Sequence, residues 1–536
     1  MQSNTRAIRI WVWAIAIVLA LVQAWTSRHF VNPDGVSYLD LSDDYAAGRW
    51  SAAINGYWSP LYPILLAAMR AVVHPAPFME ATAVHFMNSI LFLAGLAAFE
   101  LLLRELRVDN ALQRIAAYAI LLFAGLSLIG IRVITPDLLL LMWCCIIGAL
   151  VVREIRGDAG VGTFALLGAS LGLAYLTKAV MFPIGVFTLF VTVLFTRQQR
   201  SISLRHLLAI ASFLAVAAPQ LYAMSKLAGH ASFGDAGRIA YARKVNGLPK
   251  HWIDSTSADA IHLLNHKPDL YAFPLDKPSR SFPLWDEPAE WYRGMPARFD
   301  LNLQARTIVT TTDTNIGTLA KIYFPVMLLA IVAGLTLGRE RVGLVVIALG
   351  AIALYEFVYT EPRLIAPWVA LGFTAIVTAS QSPGDAKRKR IGQWSLIALV
   401  IVCGISVARA ANRGIASAGD ETGFGAVNSQ WIVAQKLAAL GVKPGSRVAL
   451  IGDESDIYWA RLADVQVAYQ IPLPSAPTYW ALGAPDREQL DADLENAGAT
   501  AIVASWSAPE SPIAGWIPVG DRHYLIRPLN TSVSTH

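Results

Sequence analysis

Residues 114–156 read RIAAYAILLFAGLSLIGIRVITPDLLLLMWCCIIGALVVREIR, two apolar runs parted by a short polar break around residues 132–137. About 20 apolar residues cross the hydrocarbon core of a bilayer as a helix. Each run comes close to that length. The basic residues Arg114, Arg132, Arg153 and Arg156 stand only at the ends and in the break. A helical hairpin through a membrane satisfies this pattern, because a helix pairs its own backbone polar groups where no water can.

The pattern extends outward in both directions. The 536 residues are 55% hydrophobic and 15% charged, and the mean hydropathy is +0.47. Soluble chains carry roughly 25% charged residues, so most of this chain faces lipid or a membrane interior. Apolar runs predict spans at 8–26, 81–103, 114–131, 136–152, 161–177, 180–196, 206–223, 319–337, 342–359, 364–380 and 394–411. The chain thus reads as a polytopic α-helical membrane protein with about eleven transmembrane helices. Arg6 and Arg9 precede the first run as in a signal peptide, but no small-x-small cleavage site follows, so an uncleaved anchor is expected. The three cysteines, Cys144, Cys145 and Cys403, lie within apolar runs. Their spacing suggests neither a disulfide framework nor a metal site, and no residue set supports a divalent metal or other cofactor.

Short-loop cations set the orientation. With the N-terminus in the cytoplasm, one set of span ends holds sixteen: Arg6, Arg9, Arg104, Arg107, Arg114, Arg153, Arg156, Arg197, Arg200, Arg205, Arg339, Arg341 and the run Lys387-Arg388-Lys389-Arg390. The opposite short loops hold three: Arg132, Lys178 and Arg363. The net charge of +5 is therefore read as topological, and nucleic acid is not an expected partner. An odd number of spans puts the C-terminus outside the cytoplasmic membrane. Three long segments then lie on the outer side: 27–80, 224–318 and 412–536.

In the first outer segment, Asn32-Pro33-Asp34-Gly35 is a turn signal that sets Asp34 near the membrane surface. From Val36 to Arg49 the pattern fits a short amphipathic helix. Tyr38, Leu41 and Tyr45 share one face, and Asp40, Asp43 and Asp44 read as solvated acids. Tyr57-Trp58-Ser59-Pro60-Leu61-Tyr62-Pro63 leads into ILLAAMRAVV, too short to span and suited to the interface.

These pieces, with others in the same order, resemble the GT-C membrane glycosyltransferases that use lipid-phosphate sugars, among them protein O-mannosyltransferases, aminoarabinose transferases and Rgt-type enzymes. The matching pieces are Pro33-Asp34-Gly35 with Tyr38-Leu39, then Ser59-Pro60-Leu61-Tyr62-Pro63, then His85-Phe86-Met87-Asn88. Thr135-Pro136-Asp137, Leu176-Thr177-Lys178 and Glu361-Pro362-Arg363-Leu364-Ile365-Ala366-Pro367 follow. The likeness covers residues 1 to about 380. Many members carry Asp-Glu where this chain has Asp34-Gly35, and Lys-Gly where it has Lys178-Ala179.

The resemblance implies a transferase moving one sugar from a polyprenyl-phosphate donor to a glycan, lipid or protein acceptor on the outer face, in cell-envelope glycan biosynthesis. Such chemistry needs a base for the acceptor hydroxyl and cations for the departing phosphate. Asp34 is the expected base. Lys178, Arg363 and Arg132 are the expected carrier-phosphate ligands, snorkelling anchors being the alternative. Tyr38, Trp58, Tyr62, His85, Asp137, Glu356 and Glu361 are expected to support the site or contact substrate. Asp137 also reads as a helix-start acid behind a Thr135 N-cap and Pro136. Glu356, an acid inside an apolar run, costs about 2.5–3.5 kcal/mol on insertion and calls for a partner, either Arg363 or Lys178. His85 and His74 also read as packing or interface residues.

Segment 224–318 is rich in aromatics, including Trp252, Trp285 and Trp291, which fit sugar stacking or the packing of a lid. Segment 412–536 reads as a small extracytoplasmic α/β domain. GSRVALIGD, VQVAYQI, TAIVASW and HYLIRPL are its strands and DREQLDADLENAG is a helix. GDESDIYW lacks the glycines of a dinucleotide site. A transporter or flippase and a non-catalytic scaffold remain competing classes. The first is weakened by the lack of paired repeats; a strongly acidic pocket beside outer cations would argue against the second.

The topology is directly testable. Single cysteines placed in 104–114, 153–160, 197–205 and 381–393 should resist impermeant thiol reagents in spheroplasts, and those in 412–536 should react. Protection of 412–536 would overturn the orientation.

Overall fold

The computed structural model describes residues 2–196, 203–254, 256, 260–274, 281–332, 335–381, 386–418, 429–454, 457–505, 513–520 and 524–529. The loops predicted at 197–205 and 381–393, and parts of 412–536, fall partly outside these residues.

The N-terminal region is helical. In chain order it comprises α1 (Gln2–Thr26), α2 (Pro33–Ala46), α3 (Leu61–Val73), α4 (Glu80–Glu105) and α5 (Ala111–Leu122), which runs on as a π-helical segment Phe123–Ile129. Next come α6 (Asp137–Arg156), α7 (Val161–Thr177), α8 (Met181–Phe195), α9 (Leu204–Ala228) and α10 (Ala236–Lys244). After strands β1 (His262–His266) and β2 (Asp269–Ala272) follow α11 (Pro283–Asp286), α12 (Pro288–Trp291), α13 (Leu301–Val332), α14 (Arg339–Glu356), α15 (Pro362–Val377) and α16 (Ala386–Ala418). Two short strands, β3 (Leu335–Thr336) and β4 (Ser380–Gln381), pair the α13–α14 and α15–α16 connections.

Each apolar run picked out above coincides with a helix. Among the described residues six are long and apolar enough to cross a membrane: Thr5–Thr26, Pro77–Glu105, Ala111–Ile129, Asp137–Arg156, Leu204–Ala228 and Ala386–Ala416. The helices α7, α8 and α15 are apolar but shorter. One boundary differs sharply from expectation. The helix predicted at 319–337 starts at Leu301 and has 32 residues, about 48 Å at 1.5 Å per residue. Its first half, LNLQARTIVTTTDTNIGT, is too polar for a hydropathy window, so it reads as loop although it is helix.

Close packing of α7 on α9 depends on absent side chains. A Cβ on Gly168 would lie 2.0 Å from the Ala209 carbonyl oxygen, and one on Gly172 would lie 2.6 Å from Val216. Small residues four apart let helix backbones touch where lipid offers no hydrophobic drive.

The C-terminal region holds α17 (Ser429–Ala439), β5 (Arg447–Gly452), α18 (Tyr458–Leu462), β6 (Gln466–Pro472), α19 (Ala476–Ala481), α20 (Ala484–Asn496), β7 (Ala499–Ser505), β8 (Ile517–Val519) and β9 (Tyr524–Pro528). Its sheet has the order β1-β2-β6-β5-β7-β9-β8. The pairs β5–β6 and β5–β7 are parallel and the others antiparallel. The sheet therefore draws two strands from the 224–318 segment. Alternate residues face opposite sides: Ala449, Ile451 and Ile471 join a core with Tyr479 and Leu494. Val448, Leu450 and Val467 join a second core that continues into Leu39, Tyr62 and Val84 of the membrane region. Sheet and membrane helices thus share one apolar interior.

An ionic lock sits in that interior. Arg461 of α18 reaches Asp40 at 2.7 Å, Asp43 at 2.6 Å and Glu80 at 2.8 and 2.9 Å. Its side chain is 9% exposed. Arg70 adds contacts to Asp43 and, at 3.3 Å, to Glu80, and the Tyr458 hydroxyl donates to Glu80. Asp40 also accepts from the backbone N–H and hydroxyl of Ser281. The expectation that Asp40 and Asp44 are solvated is therefore corrected: they are 2% and 4% exposed. Helical periodicity places both off the aromatic face but does not foresee the guanidinium that reaches Asp40 from α18, and Asp44 pairs with Arg49. Three carboxylates meet two guanidiniums here. Burial pushes the Asp40 carboxyl up to about 7, with Arg461 pulling the other way.

Removing one partner of a buried ion pair costs about 3–5 kcal/mol. Arg461→Ala should therefore loosen the C-terminal region, raising hydrogen exchange in α2 and α18 in detergent while leaving α5 and α6 protected. Unchanged exchange in α2 would show that the apolar interior alone holds the two regions.

Candidate active site

The site starts at the head of α2. Asn32 has extended backbone and Pro33 is the first helical residue, so the expected turn is a helix start. A proline suits that position because its missing N–H would have no partner there. The Asn32 side chain does not cap α2; its oxygen accepts from the Ile134 N–H at 2.8 Å, tying α2 to the loop before α6. Asp34 lies in the first turn, where the helix dipole favours an anion. Gly35 explains the departure from Asp-Glu: a Cβ there would lie 2.9 Å from Ile134 Cβ, so a second acid has no room.

Asp34 has two partners. Arg363 Nη2 approaches its Oδ2 at 2.9 Å, and the Trp285 indole N–H donates to its Oδ1 at 3.1 Å. The carboxyl keeps 19% exposure. Arg363, at the start of α15, also donates through Nε to Glu361 at 2.7 Å and lies 3.4 Å from Asp137. Asp137, fully buried at the head of α6, accepts from Lys178 at 2.6 Å and from the Thr135 hydroxyl at 2.8 Å. Thr135 therefore serves the Asp137 carboxyl, and the N-cap residue is Pro136. The result is a ladder of alternating charge, Lys178–Asp137–Arg363–Asp34, with Glu361 beside it. The Tyr359 hydroxyl donates to Glu361.

The other expected residues take distinct places. Tyr38 packs edge-on to Tyr62 at 5.2 Å and tilted on Trp58 at 5.0 Å. The Trp58 indole and the Ser37 hydroxyl both donate to the Trp285 carbonyl, so this aromatic group fixes the ring that touches Asp34. Tyr62 is buried and donates to Asn88, whose amide donates to the carbonyls of Ile131 and Val133. His85 Nε2 lies 2.9 Å from the Phe30 carbonyl. His85 and Asn88 thus brace the loops that carry Asp34 and Arg132. Glu356 meets neither Arg363 nor Lys178, contrary to expectation. It accepts from Asn315 at 3.0 Å, a residue on the polar half of α13 that reads as loop in the sequence.

Arg132 stands apart from the ladder. Its guanidinium lies over the Phe30 ring at 5.3 Å, and among the described residues it forms no ion pair. It lines a cavity of about 720 Å³ together with Asp34, Glu361, Arg363 and Arg413. The C-terminal ends of α1 and α16 and the end of the π-helical segment form the walls. Burial and the Arg413 charge both press against the Arg132 charge. Sequence reading misses Arg413 because it falls just beyond the 394–411 run, in a long segment whose cations carry no topological weight. Trp285 is visible there only as one aromatic among several.

No family model matches the chain, and no curated protein matches it. Solved structures do. ArnT from Cupriavidus metallidurans bound to undecaprenyl phosphate aligns over 98% of this chain and 99% of its own, at 15% identity and TM-score 0.55. The apo form of the same protein aligns over 99% of both chains, at 15% identity and TM-score 0.53. The chain therefore shares the fold of this protein over essentially its whole length.

Asp137→Ala would leave Lys178 and Arg363 facing each other without their shared anion. Thermal unfolding in detergent should drop by an amount equivalent to about 3–5 kcal/mol. Adding Lys178→Met should recover part of the loss, because residues in one network are not additive. Additive losses would mean the ladder is not coupled.

Proposed function

We propose that this chain is a glycosyltransferase of the cytoplasmic membrane that transfers one sugar from a polyprenyl-phosphate donor to an acceptor on the outer face. In this reading the eleven helices named above cross the membrane, the N-terminus is cytoplasmic and the sheet-bearing C-terminal region is extracytoplasmic. The observation that carries it is the cavity in which Asp34 meets Arg132 and Arg413, two guanidiniums with no ion pair of their own among the described residues. Likeness to a protein solved with undecaprenyl phosphate supports a lipid-phosphate donor.

The chemistry follows from the parts. The acceptor hydroxyl oxygen attacks the anomeric carbon as the bond from that carbon to the phosphate oxygen breaks. The phosphate leaves with the bonding electrons, and the hydroxyl proton passes to Asp34. Charge grows on the leaving phosphate in the transition state, so fixed cations there lower the barrier. Arg132 and Arg413 take this role, with Arg363 at the cavity wall. Lys178 is better read as a positioning residue, since its ammonium is committed to Asp137. Arg363, gripped by Asp137 and Glu361, aims the Asp34 carboxylate. A planar fork presents its donors in fixed directions, where a lysine ammonium acts as a point charge.

Asp34→Asn keeps the shape and an acceptor for the Trp285 N–H but removes the base. Turnover with a lipid-phosphate sugar should fall by about 10²–10⁴ while the protein still folds and inserts. Parent-like turnover in the purified variant would remove Asp34 from the mechanism.

A further inference from the structure

Two further cations stand near the Asp34–Arg363 pair, each against an aromatic ring. Arg243 and Lys244 end α10. The Arg243 guanidinium lies over the Trp285 ring at 4.8 Å, and that indole donates to Asp34. Lys244 Nζ lies over the Tyr359 ring at 4.2 Å, and that phenol donates to Glu361, the partner of Arg363. Arg243 is therefore one aromatic ring away from Asp34, and Lys244 is one ring and the Glu361 carboxylate away from Arg363. Neither Trp285, Tyr359 nor either cation lines the cavity that holds Arg132 and Arg413.

Helix-end cations are favourable in themselves, and a ring face adds about 0.5–2 kcal/mol. Neither effect neutralises the charges. Among the described residues Arg243 and Lys244 form no ion pair, and Glu361, the acid that acts on Lys244, is held by Arg363. Burial and the Arg243 charge hold Lys244 below the usual lysine range, and the same two causes act on Lys250. Tyr57 adds a further ring, 5.5 Å from Trp285. A cationic rim floored by aromatic faces fits a ligand with an oxyanion beside a sugar-like surface.

We propose that the acceptor is anionic, carrying a phosphate or carboxylate that Arg243 and Lys244 hold while its hydroxyl meets Asp34. This rests on the transferase reading and names its acceptor class. The two anions, that of the acceptor and that of the carrier, then bind at separate places, each with its own two cations.

The test uses the full chain in neutral-lipid nanodiscs, with tryptophan fluorescence as readout and three probes: glucose 6-phosphate, glucose as its uncharged control, and undecaprenyl phosphate. Glucose 6-phosphate should bind at least about ten-fold more tightly than glucose, the worth of one good charge-assisted contact. Arg243→Ala with Lys244→Ala should erase that preference and leave undecaprenyl phosphate within about two-fold of the parent. Arg243→Lys with Lys244→Arg, which keeps both charges, should retain it and shows that the site folds. Equal binding of the two sugars, or a preference that survives the double alanine variant, overturns the proposal. A double variant that weakens undecaprenyl phosphate as much as glucose 6-phosphate also overturns it, since the cations would then serve the carrier. Arg132→Ala with Arg413→Ala separates this from failure of the transferase reading. If that pair leaves undecaprenyl phosphate binding unchanged, the donor reading fails while the anion preference at Arg243 and Lys244 stands or falls on its own.

Discussion

Four alternating acidic and basic side chains, gathered at one end of the bundle, constrain the arrangement around them. Each of Lys178, Asp137, Arg363 and Asp34 is largely withdrawn from water, and each alone would carry a desolvation cost of several kcal/mol. The cost is met only if opposite charges alternate in contact. That requirement brings together the head of α2, the head of α6, the α7–α8 junction and the head of α15. These elements are 41, 226 and 329 positions apart in their closest pairs. The aromatic group of Tyr38, Trp58 and Tyr62 then has one available place, against the Trp285 ring that completes Asp34.

This constraint also separates two kinds of cation. Lys178 and Arg363 are consumed by the ladder, so their charge acts on carboxylates. Arg132, Arg413, Arg243 and Lys244 lean on rings or lie in an open cavity, and no carboxylate among the described residues pairs with them. Counting outer cations in a sequence treats the two kinds alike. Only their pairing tells which are structural and which are on offer.

The helices were legible because hydrophobicity is a local property: a run near 20 residues long announces itself without knowledge of its neighbours. The break between α7 and α8 at Lys178 was legible for the same reason, as were strands β5, β6, β7 and β9. Asp34, Asp137, Lys178 and Arg363 could be placed at one end of the bundle from chain order, and the structure brings these four into contact. What failed were statements about partners. Glu356 was matched to the nearest outer cations, but its partner Asn315 sits on a helical extension too polar to register as helix. Asp40 reads as solvated because the chain around it is polar, while its partners Ser281 and Arg461 come from far along the chain. The helix start at Pro33 passed for a turn because Asn-Pro-Asp-Gly fits both, and the choice lies in the Asn32 bond to Ile134.

The lock between Arg461 and Asp40 spans 421 positions, and that distance has a meaning in time. A chain made and threaded from its N-terminus delivers α2, α3 and α4 long before residue 461 exists. During that interval Asp40, Asp43 and Glu80 crowd together with Arg70 as their only cation in the cluster, and repulsion among them opposes the seating of α2. The helix that carries Asp34 settles when the last fifth of the chain arrives. A polypeptide released before residue 461 would lack the guanidinium that fills the acidic pocket beneath α2.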